Sequence, residues 1–208
     1  MDNASLIPHQ LFGDNGLIAD IGEIAVPIIT SISKRANMNR HAATLSLGLI
    51  MDDFSINKRN TYFKKRLIEG IQGLSDCGII DLEDIAQYKI NDAFDINLYY
   101  DFEPFVKLYD YEFAVLGSYT QADNIKLTMV YLFMMKHIND KTKEPTWISV
   151  EAIAEEFDFA MNTVRKYIKI LIEDLGILFR KGKRHTANGF CHLHTRNMPE
   201  YIHLHKDI

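Results

Sequence analysis

The chain has 208 residues, of which 47% are hydrophobic and 25% are charged, as in ordinary soluble globular proteins. These values exclude a disordered tail, a collagen-like fibre and a disulfide-stapled mini-protein. The formal net charge of −5 excludes a uniformly basic coat for nucleic acid, but it allows a local basic patch.

The sequence has no feature that points to a membrane or to an oxidising compartment. Its first residues, MDNASLIPHQ, lack the basic and apolar regions of a signal peptide. The longest apolar stretch, 127–135, is too short to span a bilayer. Cys77 and Cys191 lie far apart, and we expect both to stay reduced. We therefore predict a cytoplasmic protein with no membrane partner.

In the first half, hydrophobic spacing predicts three helices followed by strands. The helices cover 21–35, where Pro27 kinks or delays the start, 44–53 and 60–76. Cys77 and Gly78 end the third helix, and strands are predicted over 79–82, 94–100 and 105–116.

The second half shows a clearer pattern. A buried helix is predicted over 124–138, with Met129, Met134 and Met135 in the core, and a short strand over 146–148, with Trp147 as a core residue. Ser149 is predicted to cap a helix over 150–157, and Asn162 to cap a helix over 163–175 that Gly176 ends. A hairpin follows, with strands 177–180 and 190–194 around a glycine-bearing turn at 181–189.

Charge is unevenly distributed along this pattern. Residues 57–66 carry five basic residues and no acid, whereas residues 76–103 carry eight acids and one lysine. Residues 159–208 carry nine basic and four acidic residues. The segments GLSDCGIIDL and LIEDLGILFR align without gaps as a helix end, a glycine and an apolar strand, which indicates an internal repeat of architecture.

The order helix, short strand, helix, helix and hairpin is that of a winged helix, whose third helix enters the major groove. The helix at 162–175 has an apolar inner face and an outer face that supplies donors for phosphates and base edges. Its candidate DNA contacts are Asn162, Thr163, Arg165, Lys166 and Lys169. The turn of the hairpin adds a second basic group suited to the phosphate backbone or the minor groove, namely Arg180, Lys181, Lys183 and Arg184.

This part of the sequence resembles a known family of DNA-binding domains. The stretch ISVEAIAEEFDFAMNTVRKYIKILIEDLGILFRKGK resembles a bacterial winged helix-turn-helix domain, and the resemblance covers 124–195. With a looser unit at 17–116, the tandem pattern resembles replication initiators of Gram-positive plasmids and DnaD-like replisome organisers of phages. The resemblance implies DNA binding through the third helix and the wing, often as a dimer.

The first unit has a second basic group at the start of its long helix. Cations are unfavourable at this end of a helix because of the helix dipole, and a bound phosphate would compensate for that repulsion. The members of this group are Lys58, Arg59, Asn60, Thr61, Lys64 and Lys65. The alternative is a solvated helix start.

The spacing of the histidines also fits a metal-binding pair, but we do not predict a metal site. His192 and His194, like His203 and His205, would share one face of a strand, as in the metal-binding pair of rolling-circle nickases. No third ligand is evident, and a polar strand face accounts for both pairs.

The sequence also lacks a phosphate-binding glycine loop, a nucleophile elbow and an HExxH motif. We therefore predict no enzyme activity, no metal site and no cofactor.

Taken together, the sequence predicts an α+β, mainly α, protein of tandem winged helix-turn-helix units, with domains at 1–116 and 117–208, the second ending in a short tail. The predicted function is sequence-specific binding of double-stranded DNA by a homodimer, in replication initiation or its control on a plasmid or phage. A transcriptional repressor of a mobile element is one alternative. A replisome or partner adaptor that binds no DNA, using the acidic segment 76–103, is the other.

Overall fold

A computed structural model describes residues 4–36, 42–82, 84–99, 104–121, 123–138, 141–186 and 189–198, with the backbone alone for 184–186 and 189–191. The fold is α+β and mainly helical, with small antiparallel sheets. The chain divides into two compact units, Met1–Thr128 and Met129–Ile208. Within the described ranges, every helix is too short or too polar to cross a bilayer.

The first unit alternates helices with short strands. Its elements in chain order are β1 (Ala4–Pro8), α1 (Leu17–Ile21), α2 (Ala25–Arg35), β2 (Ala42–Leu45), α3 (Leu47–Asp53), α4 (Thr61–Asp76), β3 (Ile80–Asp81), β4 (Phe94–Leu98), β5 (Phe105–Tyr109) and α5 (Asp110–Ser118). Strands β1 and β5 form one antiparallel pair, and β2, β4 and β3 form an antiparallel sheet in that order.

Helix α4 is placed by its cap and its close contact with α2. The Asn60 side chain accepts a hydrogen bond from the backbone N–H of Phe63 at 3.0 Å, which satisfies one free donor of the first turn. A Cβ at Gly70 would lie 2.8 Å from side-chain atoms of Ile24 and Ile28, so a larger residue here would force these side chains to move. Gly78, at φ +68°, ends the segment in the left-handed region.

The second unit contains α6 (Asn124–Lys136, in which the division between units falls), α7 (Val150–Phe157), α8 (Met161–Lys169), β6 (Leu178–Thr186) and β7 (Gly189–Arg196). A π-helical turn, Ile170–Asp174, continues α8. Strands β6 and β7 are antiparallel, and Thr146 forms an isolated bridge to His194 on the other side of β7.

The core of the second unit forms around α6. Met129, Met134 and Met135 are buried there, as predicted. Ser149 caps α7 as predicted, because its Oγ accepts from the backbone N–H of Ala152 at 3.1 Å. The edge of Phe133 contacts the ring of Phe157, which joins α6 to α7.

Several predicted elements are corrected. The helix predicted at 44–53 begins as strand β2, and the strand predicted at 105–116 becomes α5 after Tyr109. Helix α8 begins at Met161 after Ala160, so Asn162 lies inside its first turn and is not the N-cap. The basic segment predicted as a turn at 181–189 lies largely in paired strands.

Candidate nucleic-acid interface

Helix α8 separates an apolar face from a polar one. Val164, Tyr167, Ile168 and Leu171 are buried at the spacing i, i+3, i+4, i+7 and hold the helix against the core. The residues between them point outward, and they are the ones that the sequence singled out. The structure thus brings the predicted contacts of this helix together on one accessible face.

The outer face of α8 carries cations that remain available to a ligand. Asn162, Arg165, Lys166 and Lys169 are exposed, and Thr163 is half-buried. Arg165 donates from Nη1 to Asn162 Oδ1 at 2.9 Å, which limits the freedom of the guanidinium group. Lys169 Nζ lies 3.6 Å from Glu173 at the far end of the helix, an exposed pair that contributes little stability. Among the described residues, Lys166 has no carboxylate partner.

The hairpin supplies a second basic surface. Arg180 pairs with His194 and Lys183 with His192 across the strands, so these four side chains share one face of the sheet. Lys181 is the extra residue of a bulge between Arg180 and Gly182. The Arg180 and Lys183 side chains are exposed, Lys181 is half-buried, and the backbone of Arg184 pairs with Cys191. The side chain of Arg184 lies outside the described residues.

The histidines of β7 lie across the strands from these cations, and the pKa of each is lowered. Burial, followed by electrostatic interaction with Arg180 and His192, lowers the pKa of His194 to about 4. Neither ring nitrogen of His194 has a hydrogen-bond partner within the described part of the chain, although the residue is only 5% exposed. Burial, Arg180 and Lys183 also lower the pKa of His192. A lowered pKa favours the neutral imidazole, so Arg180 and Lys183 are the main positive charges of this face.

The positions of His192 and His194 give no support for a metal site. The ring centroids of His192 and His194 lie 6.2 Å apart. Within the described ranges no three His, Cys, Asp or Glu side chains come together as metal ligands. His203, His205 and Tyr201 lie outside the described residues.

The basic group of the first unit is partly committed to its own fold. Lys58 lies 2.6 Å from Asp52, Lys65 lies 3.6 Å from Glu69, and Asn60 caps α4. Arg59 and Thr61 are exposed and Lys64 is half-buried. No ion pair engages Arg59 or Lys64 among the described residues. Two of the predicted cations therefore remain available here.

Helices α4 and α8 correspond in their buried residues, but the correspondence is shifted by one residue from the ungapped sequence alignment. The buried residues Leu67, Gly70, Ile71 and Leu74 of α4 follow the same spacing as Val164, Tyr167, Ile168 and Leu171 of α8. One more residue separates Leu171 from Gly176 than separates Leu74 from Gly78, and the π-helical turn accommodates it.

With this shift, the positions of Arg165, Lys166 and Lys169 in α8 are occupied in α4 by Ile68, Glu69 and Gln72. The outer face of α4 therefore lacks the cations of α8 except at its start.

The hairpins differ in the sign of their charge. In the first unit, Asp81 of β3 and Asp95 of β4 are exposed on the sheet. Asp95 accepts a hydrogen bond from Thr44 Oγ1 at 2.6 Å, and Asp81 accepts one from the Tyr99 hydroxyl at 3.2 Å. Carboxylates here repel phosphate, whereas Arg180 and Lys183 of the second hairpin attract it.

Sequence reasoning missed exposed apolar groups beside these surfaces. Tyr62 is 70% exposed in the first turn of α4, Met161 is 45% exposed at the start of α8, and Phe179 is 39% exposed next to Arg180. Trp147, predicted as a core residue, is 52% exposed. The signal for Tyr62 is that it falls outside the apolar period of α4. Met161 precedes Val164 and Ile168 at the apolar spacing, so the periodicity gives no signal of its exposure.

Comparison with known proteins finds no matching family model, no matching curated protein and no matching solved structure.

Proposed function

We propose that both units are winged helices and that the second binds double-stranded DNA sequence-specifically, with α8 in the major groove and the β6–β7 hairpin on the backbone. The order of elements supports this proposal, because α6, the bridge at Thr146, α7, α8 and the hairpin follow the order of a winged helix. In the first unit, α2, β2, α3, α4 and the β3–β4 pair repeat that order.

The observation that carries the proposal is the outer face of α8. Arg165 and Lys166 are exposed while Val164, Tyr167 and Ile168 beside them are buried. An arginine can donate to both O6 and N7 of guanine. The hydrogen bond from Arg165 to Asn162 reduces the entropy that such a contact loses, because the guanidinium group is partly oriented before DNA arrives.

The hairpin cations supply affinity that does not depend on sequence. Arg180 and Lys183 project from paired strands, so their positions are less variable than those on a mobile turn. Cations that neutralise phosphates release counterions, and binding through them weakens as salt rises. Lys181 and Arg184 belong to the same strand and are proposed to share this role.

The start of α4 is proposed as a weaker contact with the DNA backbone, through Arg59, Thr61 and Lys64, with Lys58, Asn60 and Lys65 beside them.

The acidic hairpin of the first unit favours a second candidate function, binding of a protein partner. Asp81 and Asp95 on an exposed sheet face suit a basic partner better than a phosphate.

The biological role that we propose is initiation of replication, or its control, on a plasmid or phage, by a non-catalytic homodimer. Repression of transcription on a mobile element is the alternative, since it requires the same groove-reading helix. A replication or transcription protein is the proposed additional partner.

Selection of bound sequences from random duplexes tests the proposal. We expect one enriched sequence. An inverted repeat would support a dimer acting as an initiator or a repressor, and iterated direct repeats would support an initiator. If the protein enriches no sequence at any salt concentration, from low to physiological, sequence-specific DNA binding is overturned and the adaptor function remains.

A further inference from the structure

The second unit contains a cavity that the proposed DNA contacts do not use. Its volume is about 480 Å³, and its lining includes His137, Glu144, Trp147, Ser149 and Ala152. His137 directly follows α6, Ala152 lies in α7, and the other three belong to the segment between them. This volume lies within the range of small-molecule sites.

The lining combines an aromatic face with hydrogen-bonding groups of defined character. Trp147 is 52% exposed, so an aromatic side chain lines the accessible part of the cavity. The exposed Glu144 carboxylate accepts hydrogen bonds. Burial, and then the charge of Lys136, lower the pKa of His137, while Glu156 opposes that change. A neutral imidazole offers one donor and one acceptor.

We propose that this cavity binds a nucleobase with adjacent N–H donors, of which guanine is the natural example, stacked on Trp147 and hydrogen-bonded to Glu144. The N1–H and 2-amino groups of guanine present two parallel donors to the two oxygens of a carboxylate. Aromatic side chains stack with any base, so stacking supplies affinity and Glu144 supplies the preference for guanine.

Two sources could provide this base: an unpaired nucleotide of single-stranded DNA, or a free guanine nucleotide. A base inside a duplex cannot enter the cavity, since its Watson–Crick edge is already paired. The proposal therefore goes beyond duplex reading by α8 and does not rest on it.

The experiment uses Trp147 as its own reporter, because it is the only tryptophan in the chain. Full-length protein is titrated with guanosine monophosphate and with a nine-nucleotide thymidine strand that carries one central guanine. We expect saturable quenching of the tryptophan emission by at least one probe. Replacing guanine with hypoxanthine removes only the 2-amino group and should weaken binding.

Variants test which side chains of the cavity bind the base. With a fluorescently labelled strand read by anisotropy, Trp147→Ala should weaken binding about fivefold to a hundredfold, and Trp147→Phe should retain most of it. Glu144→Gln should remove the preference for guanine over hypoxanthine. Glu151→Gln is the matched control, because Glu151 is an exposed carboxylate on α7 that does not belong to the described lining.

Binding of the mononucleotide would assign a free-nucleotide site, and binding of the strand alone would assign a site for an unpaired base. The proposal is overturned if neither probe quenches Trp147, or if guanine and hypoxanthine bind equally in the wild type. Arg165→Ala with Lys166→Ala should leave the preference for guanine over hypoxanthine unchanged, so failure of duplex reading and failure of this site are distinguishable.

Discussion

Helices α4 and α8 bury their apolar residues at the same spacing, yet their outer faces carry different residues. In α8 the outward positions carry Arg165, Lys166 and Lys169, and in α4 the corresponding positions carry Ile68, Glu69 and Gln72. The buried spacing determines how a helix docks in either unit. The outer residues are free of that constraint, so the proposed DNA-reading face of α8 needs no counterpart in α4.

The hairpins extend this contrast. Arg180 and Lys183 stand out from the second hairpin, whereas Asp81 and Asp95 stand out from the sheet of the first. Because phosphate repels the acidic surface and attracts the basic one, we expect the two units to contribute unequally to DNA binding.

The largest expected effect comes from removing the proposed DNA-reading face of α8. Arg165→Ala with Lys166→Ala should abolish specific binding, since a base-reading arginine alone is worth about 1–3 kcal/mol. Both side chains are exposed, so the melting temperature should stay nearly unchanged. Fluorescence anisotropy on a selected duplex measures the loss. Gln72→Ala, at the exposed position in α4 that corresponds to Lys169, is the matched control and should bind as wild type does.

Acid should destabilise the second unit through His194. Its pKa is about 4 in the folded chain against an ordinary value of 6.5, so between these pH values the unfolded chain binds a proton that the folded chain does not. The free energy of unfolding should therefore fall as pH drops from 6.5 to 4, by on the order of 3 kcal/mol. The corresponding bridge of the first unit joins Ala43 to Ile96, which do not titrate.

Urea unfolding followed by Trp147 fluorescence reports this unit, and His194→Leu should flatten the pH dependence. A variant whose pH dependence runs parallel to that of the wild type would show that other groups cause the acid sensitivity.

A smaller effect is expected from the hairpin. Arg180→Ala with Lys183→Ala should weaken binding on every sequence and flatten the salt dependence by about 0.9 for each phosphate that the variant no longer neutralises. The matched variant in the first unit, Arg59→Ala with Lys64→Ala, should change the slope less. A larger change in the first-unit variant would reverse the proposed ranking of the two units.

The smallest effect concerns Met161, whose exposed side chain at the start of α8 can contact a thymine methyl group. Replacing one thymine of the selected site with uracil should cost about 0.8 kcal/mol, the value of one buried methyl or methylene group. Met161→Ala should remove that difference. If every uracil substitution is neutral in the wild type, Met161 makes no such contact.

The sequence predicted best those elements whose start and end carry their own signals. Helix α4 was predicted at 60–76 and is found at Thr61–Asp76, because Asn60 and Gly78 mark its ends. Prediction failed at 105–116, where alternating residues continue past the strand. The Glu112 side chain there accepts from the backbone N–H of Tyr109 at 3.0 Å and starts a helix instead.

Other features depend on contacts that no local pattern reveals. The cations of the second hairpin lie in strands because β7 pairs with them, although lysine and arginine have little strand preference of their own. The extra residue in the π-helical turn became apparent only from which side chains are buried. The exposure of Trp147 likewise depends on how the segment after α6 is packed.

The most direct test of the account is a double-mutant cycle between Arg165 and the guanines of the selected duplex. Each guanine is replaced in turn by 7-deazaguanine, which lacks the N7 acceptor, and affinity is measured for the wild type and for Arg165→Ala. If α8 reads bases, one position should lose affinity in the wild type and show no further loss in the variant, with a coupling of about 1–3 kcal/mol. Additive losses at every guanine would contradict the claim that Arg165 reads the sequence.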